Sequence, residues 1–291
     1  MAEPIRIGVI GGSGFYKLEG LRVLEEKTLR TPFGDPSASY IIGELEGKRI
    51  AFLARHGEGH LYSPSLVNYR ANIYGFKMLG VETLFSFSAV GSLQPEFKPG
   101  DFVLADQFFD RTKKRADTYF DENVVAHITF DQPVCSDLRG MVYQAAEGLA
   151  ITVHNKGTYV CMEGPAFSTL AESLFYQKQG FSVIGMTNLT EAKLAREAEI
   201  CYTTIAMVTD YDCWHNEVEP VSVEMVVRVL KNNTANAHAL LKRILVMLDP
   251  ASVADCACRH ALQYAVISDL TRISAHKREQ LGLLIKNYLP A

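Results

Sequence analysis

The sequence predicts an α/β fold in which helices cover both faces of a central sheet. Short apolar runs of strand length recur along the chain and are mostly rich in Val, Ile, Phe or Thr. Several of them are separated by helical patterns, in which apolar residues are spaced three and four apart. No linker rich in Pro, Gly or Ser interrupts this alternation, so we expect one domain over residues 1–291.

The first predicted strand, Ile5–Ile10, is a continuous apolar run that ends at a glycine-rich loop. Continuous apolar runs are typical of strands that are buried on both faces of a sheet. The later predicted strands, in chain order, are Arg49–Ala54, Thr83–Ser88, Asp101–Ala105, Thr158–Met162, Ser182–Met186 and Thr203–Val208.

Caps and apolar periodicity predict the helices. Pro64–Leu79 carries an apolar stripe and is followed by glycine, which commonly ends a helix. Asn188, with Glu191 three residues later, has the form of an N-terminal cap. Ser222 begins a long helix, and residues 252–289 predict two C-terminal helices that pack on the sheet or reach a partner subunit.

Composition excludes several classes of function. The 29 Lys and Arg residues against 33 Asp and Glu give a net charge of −4, without the basic excess of a nucleic-acid groove, so we expect no nucleic-acid partner. No apolar stretch approaches the roughly 20 residues of a membrane span. The N-terminus has an acid and a proline where a signal peptide has basic residues, so we expect a cytoplasmic protein.

The six cysteines do not have the spacing of a zinc knuckle, so the sequence predicts no metal site. We expect reduced thiols. A disulfide, either within the close Cys256 and Cys258 pair or between distant cysteines, is the alternative. The cysteines are Cys135, Cys161, Cys201, Cys213, Cys256 and Cys258.

The glycine-rich loop at Gly11–Gly14 follows the first predicted strand. It lacks the third glycine of a dinucleotide fingerprint and the Gly-Lys of a P-loop, which argues against NAD and ATP. Its backbone N–H groups and the Ser13 hydroxyl could hold a phosphate-sized anion. A plain tight turn explains the loop equally well.

Two further strand ends carry groups that suit an oxyanion. Arg55 and His56 directly follow a predicted strand, and the residues around Ser88 are small and rich in hydroxyls. His56 and His60 have the spacing of a zinc-protease motif, but the glycines between them disfavour the helix that this motif needs. For Arg55 the alternative is a surface ion pair.

The paired acids Asp210 and Asp212 follow the last predicted strand. In an extended chain their carboxylates point the same way, and desolvation with like-charge repulsion raises the pKa of one of them, which can then act as an acid. A solvated turn is the alternative. Phe167, after another strand, could stack on a flat ring, although core packing explains it equally well.

Taken together, these motifs resemble the 5′-methylthioadenosine phosphorylases, a branch of the trimeric purine nucleoside phosphorylases. The resemblance runs in order over nearly the whole chain to about Leu230. Four positions depart from it. Ala166 stands where the family usually has Arg and Gly185 where it usually has Asn, and Ser13 and Ser88 stand where many members have Thr. The motifs are Gly11–Gly14, Thr31–Gly34, Leu53–Gly57, Val67–Asn72, Gly91–Leu93, Pro99–Asp101, Asp106–Phe108, Glu163–Pro165 and Thr209–Trp214.

The resemblance implies a three-layer αβα domain with a mixed sheet and a homotrimer with active sites near subunit boundaries. It also implies a role for each matching residue. Phosphate is held by Ser13, Arg55, His56, Ser88, Ala89 and Thr187. The nucleoside is bound by Met186 at the ribose, Phe167 and Ser168 at the purine, Asp210 and Asp212 at the base edge, and His127, Val223, Val226 and Val227 at the 5′ substituent.

The reaction that the resemblance implies is phosphorolysis of S-methyl-5′-thioadenosine to adenine and 5-methylthioribose 1-phosphate, in purine and methionine salvage. Asp210 protonates purine N7 with help from Asp212, phosphate attacks the sugar, and no metal or organic cofactor is required. The alternatives are a 6-oxopurine nucleoside or 5′-methylthioinosine phosphorylase, a nucleosidase that uses water, and a non-catalytic nucleoside-binding protein.

Overall fold

The computed structural model describes residues 5–215, 223–249 and 255–289, with only the backbone for residues 223–227. Eleven strands form one mixed sheet in this part of the chain. The strands are β1 (Ile7–Gly11), β2 (Arg22–Lys27), β3 (Tyr40–Leu45), β4 (Lys48–Ala54), β5 (Thr83–Ser92), β6 (Phe102–Val103), β7 (Gln107–Arg111), β8 (Val153–His154), β9 (Thr158–Met162), β10 (Val183–Gly185) and β11 (Cys201–Tyr211).

Helices pack on both faces of the sheet, which confirms the predicted α/β class. One face carries α1, α4 and α6, whose buried side chains share one apolar core. The other face carries α2 and α5, which contact each other and strand β11. The helices are α1 (Tyr69–Leu79), α2 (Ser136–Ala145), α3 (Leu170–Lys178), α4 (Asn188–Glu197), α5 (Val223–Met247) and α6 (Ala275–Ile285).

The strand order is β2-β3-β4-β1-β5-β10-β9-β7, while β11 pairs with β5 and β6, and β6 also pairs with β8. Strand β1 is buried along its length and lies parallel between β4 and β5. This placement explains its continuous apolar sequence, because a strand inside a sheet covered by helices has no face toward water.

Strand β5 changes its neighbour along one edge. Its residues Thr83 to Phe87 pair with parallel β1, whereas Gly91 and Ser92 pair with antiparallel β10. The C-terminal ends of β1 and β10 therefore approach the same part of β5 from opposite directions. Residues 88–90 lie between the two paired stretches, and this gap in the sheet positions the candidate site.

Helix α4 begins differently from the prediction. Its N-cap is Thr187, and Asn188 is already helical and fully buried. The Asn188 amide donates to the hydroxyls of Thr204, at 2.6 Å, and Tyr202, at 3.0 Å. The predicted capping pair of Asn188 with Glu191 is therefore wrong, because these two polar side chains are held by partners in the core.

The prediction of two helices over 252–289 is also wrong. In the described residues 255–289 there is one α-helix, α6, preceded by a 3-10 turn at Ala257–His260. Between them, the Asp269 carboxylate accepts from the Thr271 backbone N–H at 3.0 Å and its hydroxyl at 2.6 Å. Such local side-chain bonds compete with helical hydrogen bonding. Among the described residues, no helix is long and apolar enough to cross a membrane.

Candidate active site

A cavity of about 450 Å³ opens at the gap in the sheet beside β5. Its wall is formed by the ends of β1, β4, β10 and β11, the middle of β5 and the start of α4, so residues far apart in sequence meet there. Ten of the residues predicted for the site line it: Ser13, Arg55, His56, Ser88, Ala89, Phe167, Met186, Thr187, Asp210 and Asp212.

Arg55 follows β4 and is 1% exposed, so the alternative of a surface ion pair is wrong. Its guanidinium forms a two-pronged pair with Glu191 of α4, with Nε at 2.5 Å and Nη2 at 3.2 Å. Nη2 also donates to Ser86 Oγ at 2.6 Å, and Nη1 donates to the Phe87 carbonyl at 3.1 Å. Within the described part of the chain, these bonds use four of the five N–H donors of arginine and leave one on Nη1.

Glu191 is the residue that holds Arg55 in place. Besides Arg55, it accepts hydrogen bonds from Ser86 Oγ at 2.6 Å and Tyr202 OH at 2.9 Å. Glu191 is 1% exposed, so both members of the ion pair are buried. Gly12 makes room for this arrangement, because any side chain there would collide with Nη1 of Arg55 and the Phe87 carbonyl. The sequence offered Glu191 only as a cap residue.

His56 is a neutral imidazole near neutral pH. Burial, reinforced by the positive charge of Arg55, lowers its pKa to about 3. Its Nδ1 lies 2.8 Å from the Tyr62 carbonyl and must be the protonated nitrogen, since a carbonyl only accepts. Nε2 is therefore the acceptor until a bound anion favours the charged ring. The ring stacks on His60 with centroids 4.3 Å apart.

Two further groups at this end of the cavity suit an anion. The Ser88 hydroxyl is buried and has no hydrogen-bond partner among the described residues. Thr187 caps the ten-residue helix α4, whose first N–H groups and positive dipole end favour negative charge. Together with Arg55, these groups line one end of the cavity and give it hydrogen-bond donors of the kind that an anion requires.

The paired acids lie at the other end of the cavity, after a β-bulge in β11. The register with β5 shifts between Val208 and Asp210, which leaves Thr209 as the extra residue. A bulge re-aims the side chains that follow it, and bulges are frequent beside active sites. Gly91 provides the space, because a side chain there would contact both Asp210 and Asp212.

Asp210 keeps its proton to a higher pH than an ordinary aspartate does. Burial, together with the smaller effect of the negative charge of Asp212, raises its pKa to about 6, although the hydrogen bond from Thr209 lowers it. Asp212 is 8% exposed, and its Oδ2 is buried without a hydrogen-bond partner among the described residues. The alternative of a solvated turn is therefore wrong, and Asp212 has acceptor capacity left for a ligand.

Arg115 positions the cavity wall and was not found from the sequence. Its guanidinium donates to the carbonyls of Met186 at 2.5 Å, Glu163 at 2.8 Å and Met162 at 3.3 Å. Its side chain is 2% exposed and its guanidinium lies over the ring of Tyr69, 5.4 Å from the centroid. It thus ties the ends of β9 and β10 together. Its own loop has no pattern that signals this role.

Gly185, where the family usually has Asn, has no room for a side chain. A Cβ there would collide with the hydroxyl of Tyr159, which lies 3.2 Å from the Asn188 amide oxygen. Tyr159 thus fills the space that an Asn at 185 would need. Ala166, where the family usually has Arg, is exposed and does not line the cavity.

Several predicted substrate residues lie elsewhere. Ser168 does not line the cavity, and its hydroxyl faces Met162 Sδ at 3.9 Å. His127 lines a separate surface cavity beside Cys256 and Tyr264. The side chains of three predicted residues, Val223, Val226 and Val227, lie outside the described residues, although Leu230 of the same helix lines the cavity.

A family model described as the phosphorylase superfamily matches residues 6–246 of the chain. An S-methyl-5′-thioadenosine phosphorylase of Geobacter sulfurreducens is 52% identical over 284 residues, which cover 97% of this chain and 99% of the relative. The enzyme of the same name from Thermofilum pendens is 48% identical over 267 residues, covering 91% of this chain and the whole of the relative.

Two solved structures of methylthioadenosine phosphorylases are also similar to this chain. A methylthioadenosine phosphorylase from an antarctic soil metagenomic library is 42% identical, with a TM-score of 0.88 and 99% of each chain covered. A methylthioadenosine phosphorylase from Schistosoma mansoni in complex with adenine is 33% identical, with a TM-score of 0.85, covering 90% of this chain and 98% of that one.

Proposed function

The chain belongs to the phosphorylase superfamily, and within it we propose that the chain catalyses phosphorolysis of S-methyl-5′-thioadenosine to adenine and 5-methylthioribose 1-phosphate. The observation that carries this proposal is one cavity that contains both a group of hydrogen-bond donors suited to an anion and a pair of buried acids. Phosphate attack on a purine nucleoside needs these two groups on opposite sides of the sugar.

Phosphate is the nucleophile in this mechanism. The remaining Nη1 N–H of Arg55, the Ser88 hydroxyl and the start of α4 hold it, and Ser13, Ala89 and Thr187 complete its binding site. His56 accepts a hydrogen bond from a protonated phosphate oxygen or takes up a proton as the dianion binds. Holding phosphate beside the sugar makes its attack effectively unimolecular.

The purine leaves toward the acids. A phosphate oxygen forms the new bond to C1′ while the bond from C1′ to N9 breaks, and its electron pair moves onto the purine. Asp210 delivers its proton to N7, which neutralises the departing base. Asp212 accepts from the exocyclic amine of adenine and disfavours the O6 carbonyl of a 6-oxopurine. Met186 lies against the ribose and Phe167 covers the purine.

This division of roles requires no catalytic metal and no organic cofactor, because the proton and the charge stabilisation come from side chains. The mild net charge of −4 supports small molecules rather than nucleic acid as ligands. The cytoplasmic location expected from the sequence remains part of this proposal.

A homotrimer also belongs to the proposal. Phe167 is 73% exposed at the rim of the cavity, and His127 lies outside it within one chain. A second copy would cover the rim and could supply the 5′ pocket with a side chain that the single chain does not. We expect light scattering to give three times the 32.3 kDa mass of the chain. A monomer that retains full activity would contradict this arrangement.

The function is tested by adenine release from methylthioadenosine with and without phosphate. We expect release that depends on phosphate and yields a phosphorylated sugar. Equal release in phosphate-free buffer would indicate a nucleosidase, faster release of hypoxanthine from methylthioinosine would indicate a 6-oxopurine enzyme, and binding without release would indicate a non-catalytic protein. Each of these three results would overturn the proposal.

A further inference from the structure

Four of the six cysteines meet at one point of the fold. The Sγ atoms of Cys135, Cys201, Cys256 and Cys258 all lie within 4.8 Å of one another, and three of the four residues are buried. We call these residues the cysteine cluster. They come from three parts of the chain, and the closest two in sequence are separated by a single residue, so no zinc-knuckle spacing signals the cluster.

The four sulfurs lie close enough together to bind one metal ion. Zinc–sulfur bonds of about 2.3 Å in a tetrahedron place neighbouring sulfurs about 3.8 Å apart. Cys135 Sγ and Cys256 Sγ are separated by 3.6 Å. A disulfide needs about 2.0 Å, so these thiols are unbonded but close enough to share one ion.

We propose that the cysteine cluster binds one structural zinc ion through four thiolates. Four sulfur ligands in tetrahedral arrangement select zinc or an iron–sulfur centre over the hard cations. A centre with all four positions taken by protein ligands is closed, which is the property of structural rather than catalytic zinc.

The backbone that carries these ligands is held by hydrogen bonds that do not involve a metal ion. The Cys135 N–H, at the N-cap of α2, donates to the Tyr202 carbonyl at 2.8 Å. The Cys201 N–H, at the start of β11, donates to the Glu82 carbonyl at 2.9 Å. The Cys256 carbonyl accepts from the Arg259 N–H at 2.8 Å. The ligands are therefore preorganised.

The surroundings can compensate the charge of such a site, since zinc with four thiolates carries a net charge of −2. Arg259 lies close enough to Cys201, and Arg196 to Cys258, for their charges to interact. Nη1 of Arg259 is buried without a hydrogen-bond partner among the described residues. Thiolate sulfur is an acceptor that would satisfy it.

The proposed zinc site would stabilise the fold and take no part in the reaction. Cys201 and Asp210 lie at opposite ends of β11, nine residues apart, which corresponds to about 30 Å of extended chain. Zinc would tie the segment that precedes α6 to β11 and α2, across parts of the chain that are distant in sequence. We therefore expect its loss to lower thermal stability.

The test measures metal in the protein as purified without chelators. We expect about one zinc ion per chain in the wild type, retained through gel filtration. Cys258→Ser and Cys135→Ser should lose it. Cys161→Ser, which changes a fully buried thiol outside the cysteine cluster, should retain it and serves as the matched control. Cobalt substituted into the wild type should give the intense thiolate charge-transfer absorption of a tetrahedral four-sulfur site.

Thiol counting and intact mass separate this proposal from its rivals, even where a variant fails to fold. Zinc binding predicts six free thiols after denaturation and metal removal, and a lower melting temperature after a strong chelator is added. A wild-type mass lower by two hydrogens per bond, without metal, would establish disulfides instead. Six free thiols that do not retain added zinc, or iron in place of zinc, would equally overturn the proposal.

Discussion

Asp210→Asn loses most of the activity on methylthioadenosine, by about 10²- to 10⁴-fold, which is the range of a general acid. The amide cannot deliver a proton to N7, whereas it can donate a hydrogen bond to the O6 of a 6-oxopurine. Relative preference therefore moves toward inosine-type nucleosides. Steady-state rates on the two nucleosides, each with saturating phosphate, measure both effects.

The pH profile is a second readout of the same residue. Burial and Asp212 raise the pKa of Asp210 to about 6, so the protonated donor is lost as pH rises through about 6. In the wild type, kcat/KM therefore falls as pH rises through about 6, which gives the profile an alkaline limb. The profile of Asp210→Asn lacks this limb. The ionisation of phosphate affects the assays of both proteins equally, so the difference between the two pH profiles reports on Asp210 alone.

The stability of Asp210→Asn shows whether the variant is inactive because it lacks the proton donor or because it is misfolded. Because the pKa of Asp210 rises from 3.8 to about 6 on folding, its contribution to stability is full below pH 4 and is lost as pH rises through 6. Asp210→Asn has no charge to bury, so above pH 6 it should be more stable than the wild type, by at most about 3 kcal/mol.

Asp212→Asn is the comparison variant. It removes a negative charge beside Asp210, so the alkaline limb should move to lower pH while part of the activity on methylthioadenosine remains. Undiminished activity of Asp210→Asn on methylthioadenosine would remove Asp210 from the role of donor. A variant that melts below the wild type at pH 8 would instead indicate a structural defect.

The parts of the fold and site that the sequence predicts depend on local patterns. Apolar runs fix the buried strands, and polar residues directly after a run must lie at the carboxyl end of a strand. Arg55 and Asp210 are found in this way. The bulge at Thr209 is not, because one extra residue in a strand leaves the apolar pattern almost unchanged while it turns the carboxylates.

What the sequence does not predict depends on contacts between distant residues. Arg115 holds strand ends that lie about 50 and 70 residues away, and Glu191 pairs with a guanidinium 136 residues away. The cysteine cluster joins residues up to 123 positions apart. A capping motif even gives the wrong role to Glu191, since local rules cannot tell a cap from a buried ion-pair partner.

Removing Glu191 alone is strongly destabilising. Glu191→Ala leaves the guanidinium of Arg55 buried without its counter-ion, and breaking such a pair costs about 3–5 kcal/mol of unfolding free energy. Arg55 is then free to turn, so the KM for phosphate should rise as well. Chemical denaturation and phosphate titration measure the two effects on the same protein.

The double variant separates stability from phosphate binding. Arg55→Met with Glu191→Leu removes both charges, and apolar replacements of a buried pair are often neutral or stabilising, so it should be more stable than Glu191→Ala. It should nevertheless remain defective toward phosphate, since the proposed ligand is gone. The matched control is the exposed pair of Arg22 and Glu44, whose coupling should be no more than about 1 kcal/mol.

The double variant also tests whether Arg55 binds phosphate. If the role of Arg55 is only structural, the double variant would recover phosphate-dependent turnover along with its stability. If Arg55 donates its remaining Nη1 N–H to phosphate, stability returns and turnover does not. Among the described residues, contacts with Glu191, Ser86 and Phe87 leave the guanidinium only one donor for phosphate. Recovery of turnover in the double variant would therefore assign the anion site to Ser88 and the start of α4.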